Sequence, residues 1–169
     1  MGGAKVLRKT PLRETPMSNA MEHETPAPQF PATADTPPKT ERLRFGSFTF
    51  TRSPAGRCTV EVELEYGGKR FTGRTEGQSS PIGDLRLGAE AAMQAVELFA
   101  QGRLGLELMG IKLVRAFDAN VVVVSCTQRA ARGTRLVGCY LADRDPVRGS
   151  ALAVLNATNR VMGNYLMTR

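Results

Sequence analysis

The segment Gly68-Lys-Arg-Phe-Thr-Gly73 returns sixty-five residues later as Gly133-Thr-Arg-Leu-Val-Gly138. Both copies read Gly-x-Arg-φ-x-Gly, where φ is an apolar residue. Each copy follows an alternating apolar segment and precedes an Ala-rich stretch with helical periodicity. Because the order of the segments, their spacing and the loops between them agree, the chain is predicted to contain an internal duplication of one supersecondary unit.

The first half reads as three strands and a helix. Apolar and polar residues alternate in the first two strands, which is the period of a half-buried strand, and Gly67-Gly68 is a two-residue hairpin signal that leads into the third. A helix from about Leu85 to Gln101 follows, because its apolar residues recur every three or four positions. The predicted strands are 43–50, 58–66 and 69–75.

The second half repeats that order. Met109-Gly110 interrupts the first strand and suggests a bulge. Asp145 is a suitable N-cap and Pro146 a suitable first residue for the last helix, which is predicted to run to about Tyr165. The predicted strands are 106–117, 121–126 and 134–141.

These patterns predict an α+β fold of two β-β-β-α units, about 42–102 and 103–169, related by a pseudo-two-fold axis. Each unit is expected to form an antiparallel sheet with its helix on one face. Residues 1–41 hold seven of the ten prolines and no hydrophobic period. Such a segment buries too little surface to offset the entropy of ordering, so a disordered tail is predicted.

Charge and cysteine content narrow the functional classes. The net charge of +7 favours acidic partners, although surface arginines alone would produce it. The three cysteines form no CxxC pair, and the single histidine, His23, lies in the tail. We therefore expect no zinc site and no disulfide framework, but small buried thiols in a cytoplasmic protein. No apolar run is long enough to span a membrane, and no membrane partner is expected.

No catalytic constellation is visible in the folded part. Ser79 and Ser80 have no nearby base, because residues 42–169 contain no histidine. Asp84, Asp143 and Asp145 could hold a hard cation, but Asp145 is more simply a helix cap. We expect a protein that is not an enzyme and that uses no cofactor and no metal.

The two strand-to-helix loops are the candidate binding site. A helix N-terminus offers unpaired N–H groups and a positive dipole end, which suit a carboxylate or a phosphate. Glycines in the loops would let a ligand approach the backbone, although ordinary turns show the same composition. The candidate ligand-binding residues are Gly73, Thr75, Glu76, Gly77, Asp84, Asp143 and Asp145.

The duplicated unit and its last helix resemble a known family. The helix reads Ser150-Ala-Leu-Ala-Val-Leu-Asn-Ala-Thr-Asn-Arg160. It is similar to the A-x-A-Y-L-N-A-L-N-R helix of the C-terminal regulatory domain of 2-isopropylmalate synthases, and the resemblance covers about residues 43–166. It implies a leucine-sensing, dimerising domain of leucine biosynthesis, with the ligand in the strand-to-helix loops at the dimer interface.

Two departures qualify what the resemblance implies. The catalytic barrel and its metal-binding histidines have no counterpart here, so a non-catalytic, stand-alone regulatory module is expected. The first loop is longer than in the family and the second is more charged. Leucine or a related small carboxylate is the expected ligand, and a homodimer is the expected assembly.

The alternative is a basic nucleic-acid-binding or scaffold protein that uses its Arg-rich hairpins. Arg70, Arg74, Arg132 and Arg135 would form that surface. Double-stranded-RNA-binding domains also combine three strands with helices, but they place a helix before the strands. A small ligand should raise thermal stability with little salt dependence, whereas affinity for nucleic acid should fall steeply with salt.

Overall fold

Two three-stranded antiparallel sheets, each followed by a helix, form the structure, a computed structural model that describes residues 42–142 and 144–168. The first unit comprises β1 (Arg44–Arg52), β2 (Arg57–Tyr66), β3 (Lys69–Gln78) and α1 (Pro81–Phe99). The second comprises β4 (Leu106–Ala116), β5 (Ala119–Gln128), β6 (Thr134–Leu141) and α2 (Pro146–Met167), with a 3-10 turn at Arg129–Ala131. The predicted α+β duplication is confirmed. The predicted tail, 1–41, lies outside the described residues.

The strand register shows that the two units are built alike. Val62 of β2 lies opposite Gly73 of β3, and Val124 of β5 lies opposite Gly138 of β6. The predicted bulge in β4 is confirmed by a register shift between Leu108 and Gly110. A matching shift between residues 45 and 48 of β1 was not predicted. Equivalent residues are therefore 63 apart in the first strands, 62 apart in the middle strands and 65 apart in the third strands.

The core lies between each sheet and its helix. Alternate residues of both middle strands point at the helices and are almost wholly buried, which is the pattern of a sheet covered on one face. Phe99 of α1 makes edge-to-face contacts with Tyr66, Phe71 and Tyr165, at centroid distances of 5.1, 5.3 and 5.7 Å. The buried middle-strand residues are Cys58, Val60, Val62, Leu64, Val122, Val124 and Cys126.

The second glycine of each repeat lets a helix touch its sheet. A Cβ added to Gly73 would lie 2.0 Å from the carbonyl oxygen of Ala91 in α1. A Cβ added to Gly138 would lie 2.2 Å from the carbonyl oxygen of Ala153 in α2. Ala91 and Ala153 are 62 residues apart, so the helices occupy equivalent positions on the two sheets.

The two helices also contact each other at equivalent residues. A Cβ on Gly88 would lie 2.4 Å from Ser150 Oγ and 2.7 Å from the carbonyl oxygen of Val147. Gly88 and Ser150 are 62 residues apart, as Ala91 and Ala153 are. A contact between equivalent residues is what a pseudo-two-fold axis between α1 and α2 requires.

Several predicted boundaries are wrong in the first unit. α1 begins at Pro81 rather than Leu85, because Ser80 Oγ accepts a hydrogen bond from the Gly83 N–H at 3.0 Å and caps the helix. β3 continues to Gln78 instead of ending at Thr75. The predicted Gly/Ser loop therefore shrinks to two residues.

The predicted burial of the thiols is correct for two of the three. Cys58 and Cys126 are buried, but Cys139 is exposed. Cys139 lies beside Gly138, which faces α2, so the alternation of the strand turns Cys139 to the other side of the sheet.

Candidate functional site

The junction between β3 and α1 is filled by the protein's own carboxylate. The Asp84 side chain is only 6% exposed, and its oxygens accept four hydrogen bonds. Arg52 Nη2 donates at 2.5 Å, while Cys58 Sγ, Ser79 Oγ and the Ser80 N–H donate at 3.2 Å. Because the donors come from β1, β2 and the loop, Asp84 ties the start of α1 to the sheet.

The electrostatics of this cluster favour structure over reactivity. Burial raises the pKa of Asp84, but hydrogen bonds from Cys58, Arg52, Ser80 and Ser79 outweigh it and hold that pKa below its ordinary value. Burial, followed by the hydrogen bond to Asp84, raises the pKa of the Cys58 thiol. Cys58 therefore stays protonated as a donor and does not become a nucleophilic thiolate.

The other predicted ligand residues of this junction have partners within the protein. Thr75 Oγ1 donates to the carbonyl oxygen of Leu87 at 2.8 Å. Glu76 pairs with Arg57 at 2.9 Å on the surface, and a Cβ on Gly77 would lie 3.2 Å from a Leu87 methyl. The structure thus places Thr75 and Gly77 against Leu87 in the second turn of α1 and Asp84 in its first turn, where they hold helix and sheet together.

The junction between β6 and α2 differs, because a cavity of about 250 Å³ opens beside it. Asp145 caps the helix as predicted, with its Oδ1 accepting the Arg148 N–H at 2.9 Å. The Arg148 guanidinium lies 5.4 Å from the centre of the Phe45 ring. Asp143 lies outside the described residues. The cavity is lined by Tyr140, Leu141, Ala142, Arg144, Asp145, Arg148, Gly149 and Leu152.

Comparison of equivalent residues shows how the arginine of the second junction differs in its surroundings from that of the first. Arg86 of α1 is equivalent to Arg148 of α2, and its Nε donates to Glu90 Oε1 one turn later, at 2.9 Å. The residue equivalent to Glu90 is Leu152. Arg148 therefore has an apolar neighbour where Arg86 has a carboxylate, and Arg148 is among the residues that line the cavity. Guanidinium groups, a tyrosine and apolar side chains are a donor set that suits a carboxylate on a short apolar skeleton.

Two of the four arginines of the alternative nucleic-acid surface lie close to carboxylates. Arg74 pairs with Glu61 at 3.2 Å, and Arg70 lies 3.8 and 3.7 Å from Glu63 and Glu65. Arg132 and Arg135 are exposed on the second unit, and neither forms an ion pair with a described residue. Arg70 and Arg74 are therefore already close to carboxylates of the first sheet.

Sequence reasoning missed the residues that distinguish the two junctions. Arg52, Cys58 and Ser79 were not expected to hold Asp84, because they meet it only when the strands pair. Tyr140, Arg144 and Arg148 were not chosen as ligand residues. The signal that could have identified Arg148 is its spacing of 62 from Arg86 together with the loss of the acidic residue at position 152.

Within 42–142 and 144–168, no group of three or more potential ligands is placed to hold a metal ion. No helix in those ranges is long and apolar enough to cross a membrane. The chain matches none of the protein-family models with which it was compared, and no curated protein is significantly similar to it in sequence.

Proposed function

We propose that the chain is a non-catalytic regulatory module that binds a small carboxylate, leucine or a related metabolite, at the β6–α2 junction. The observation that carries this proposal is the cavity at the start of α2, which two arginines, the helix cap Asp145, a tyrosine and apolar residues line together. The resemblance to the 2-isopropylmalate synthase regulatory domain supports the same ligand class. It also supports a cytoplasmic homodimer, which sedimentation of the purified chain would test.

The chemistry of the junction fits such a ligand. A guanidinium binds a carboxylate through two parallel hydrogen bonds, and a helix N-terminus adds a favourable dipole. Leu141, Ala142 and Leu152 can contact a branched aliphatic side chain. The volume of about 250 Å³ lies below the range for drug-sized ligands, so a small metabolite fits better than a nucleotide.

Thermal unfolding of the full chain tests the proposal. Leucine, other amino acids and branched 2-oxo acids are added at low and at moderate salt. A ligand at a hundred times its Kd should add about 2.7 kcal/mol to the free energy of unfolding. Arg148→Gln should abolish the stabilisation, whereas Arg86→Gln removes the equivalent guanidinium from the first unit and should preserve it.

A specific observation favours a second candidate function. Arg132 and Arg135 are exposed without an ion pair among the described residues, as a phosphate-binding surface requires. Binding of an oligonucleotide that weakens steeply with salt and is lost in Arg132→Gln/Arg135→Gln would support it. That result, together with no stabilisation by any carboxylate, would contradict the regulatory proposal.

A further inference from the structure

The face of the second sheet that points away from α2 is apolar. Cross-strand pairing places Val121 beside Val114 and Leu141, and Val123 beside Cys139. Val137 and Leu141 are 67% and 62% exposed. We call this surface the second-sheet face, defined by Val114, Val121, Val123, Val137, Cys139 and Leu141.

The equivalent face of the first sheet is polar, so the fold itself does not require apolar residues here. Glu61 is equivalent to Val123, and Arg74 is equivalent to Cys139; in the first sheet these two residues form an ion pair at 3.2 Å. Thr72 is equivalent to Val137. The second sheet therefore exposes apolar side chains where its duplicate carries polar and charged ones.

Basic residues border the second-sheet face. Lys112 pairs across the strands with Val123, and Arg135 lies opposite Thr127 at the end of the same face. Glu107 also lies opposite Thr127, but Arg129 Nη2 already binds it at 2.8 Å. Residues 103–169 carry ten Lys and Arg against four Asp and Glu. Neither Lys112 nor Arg135 forms an ion pair with a described residue, so the surface combines an apolar centre with positive charge at its border.

The size of the surface indicates a transient partner. Four positions along each strand cover about 20 Å, and three strands with their side chains cover about 15 Å, which gives an area on the order of 300 Å². Patches of about 300–600 Å² are the largest on ordinary monomers and are often functional. Obligate interfaces are several times larger.

We propose that the second-sheet face docks an acidic amphipathic helix of another protein. The apolar stripe of that helix lies on the valines, and its flanking carboxylates meet Lys112 and Arg135. A helix already covers the opposite face of the same sheet, so the complex would be a helix–sheet–helix sandwich. A second copy of the chain fits less well, because the residues that define its second-sheet face offer Lys112 and Arg135 no carboxylate.

Cys139 provides a probe inside this surface. It is exposed, whereas Cys58 and Cys126 are buried and burial raises the pKa of both thiols. Iodoacetamide should therefore alkylate one thiol of the native chain quickly, as intact-mass spectrometry will show. A synthetic amphipathic helix of about 20 residues, with leucine on one face and glutamate on its flanks, is then added. Saturating peptide should slow alkylation at least about tenfold, and a twin peptide with lysine in place of glutamate should not.

Two variants test whether the peptide protects Cys139 by binding to the second-sheet face. Val123→Glu/Val137→Thr installs the residues found at the equivalent places of the first sheet, so the fold should tolerate it, as circular dichroism will check. In this variant the rate of Cys139 alkylation should be the same with and without peptide, so protection should be abolished. Thr51→Glu adds the same charge to the outer face of the first sheet and should preserve protection. Leu141 belongs both to the second-sheet face and to the lining of the β6–α2 cavity, but neither variant changes a residue that lines the cavity.

Four results would overturn the proposal: equal protection by the lysine twin, no protection by either peptide, protection that survives Val123→Glu/Val137→Thr, or protection only by anionic lipid vesicles. A dimer that dissociates in Val123→Glu/Val137→Thr would also overturn it, because the face would then be an interface between copies.

Discussion

Replacing Gly73 or Gly138 by alanine should destabilise the chain strongly, because each glycine lies directly under a helix. The added Cβ would lie 2.0 Å from the carbonyl oxygen of Ala91 in one case and 2.2 Å from that of Ala153 in the other. Real Cβ atoms essentially never approach another heavy atom closer than 3.0 Å. The obstructing atoms belong to helix backbone, so no rotamer change can relieve the contact.

The expected loss in the free energy of unfolding follows from how far the helix must move away from the sheet. The helix must retreat from the sheet by about 1 Å, which weakens packing along its whole buried face. Overpacking a core typically costs about 1–3 kcal/mol. We expect about 3 kcal/mol for each variant, since here the backbone itself must move. That is a large fraction of the 5–15 kcal/mol that stabilises a typical domain.

Urea unfolding followed by far-ultraviolet circular dichroism measures the effect. With an m-value of about 2 kcal/mol per molar, each variant should unfold at about 1.5 M less urea than the parent chain. Gly110→Ala is the matched control, because Gly110 also lies in a strand and a Cβ there has no described atom within 4 Å. Gly110→Ala should change the free energy of unfolding by less than about 1 kcal/mol. A loss below about 0.5 kcal/mol for Gly73→Ala or Gly138→Ala would refute this account of helix–sheet contact.

Two further predictions concern α1 and α2. Asp84→Asn should lower the free energy of unfolding by about 2 kcal/mol near pH 7, because Arg52 loses its counter-charge. The folded-state pKa of Asp84 lies below the ordinary value of 3.8, so its charge stabilises the fold above that value and ceases to do so as the pH falls through the folded pKa. The difference between wild type and Asp84→Asn, measured by urea unfolding across the acid range, should therefore shrink below about pH 4; a constant difference would contradict this. Gly163→Ala should raise the free energy of unfolding by about 0.5–1 kcal/mol, because Gly163 lies inside α2 with open space around it. The thermal midpoint should rise accordingly.

The sequence was sufficient for the strands and for the duplication. Period-two alternation identified β1 and β2, since each sheet is covered by a helix on one face only, whereas a β-branched run identified β5 and hairpin turns placed β3 and β6. The Asp145-Pro146 signal placed the start of α2 correctly. The same type of signal at Ser80-Pro81 was treated as loop, and so the start of α1 was placed four residues too late.

The candidate site was less predictable, because its character depends on contacts between distant residues. Gly73, Thr75 and Asp84 lie where a ligand-binding loop was expected, but their partners, Ala91, Leu87 and Arg52, belong to other elements. Local sequence shows which polar groups a loop offers and does not show which the fold already uses. The alternation of β6 would have predicted that Cys139 is exposed, because its neighbour Gly138 faces α2 and adjacent residues of a strand point to opposite faces.

The contact between Gly88 and Ser150 has a consequence for ancestry and stoichiometry. Each helix is buried on its sheet side and again where it meets the other helix, so a single β-β-β-α unit would expose apolar surface that pairing with a second unit would cover. An ancestral unit of that kind would have been a homodimer with two identical junctions. After duplication and fusion the junctions could diverge, and Asp84 now occupies the first with a permanent internal carboxylate. A chain that binds a carboxylate at its second junction would accordingly take up one equivalent of ligand, half the number its symmetry suggests.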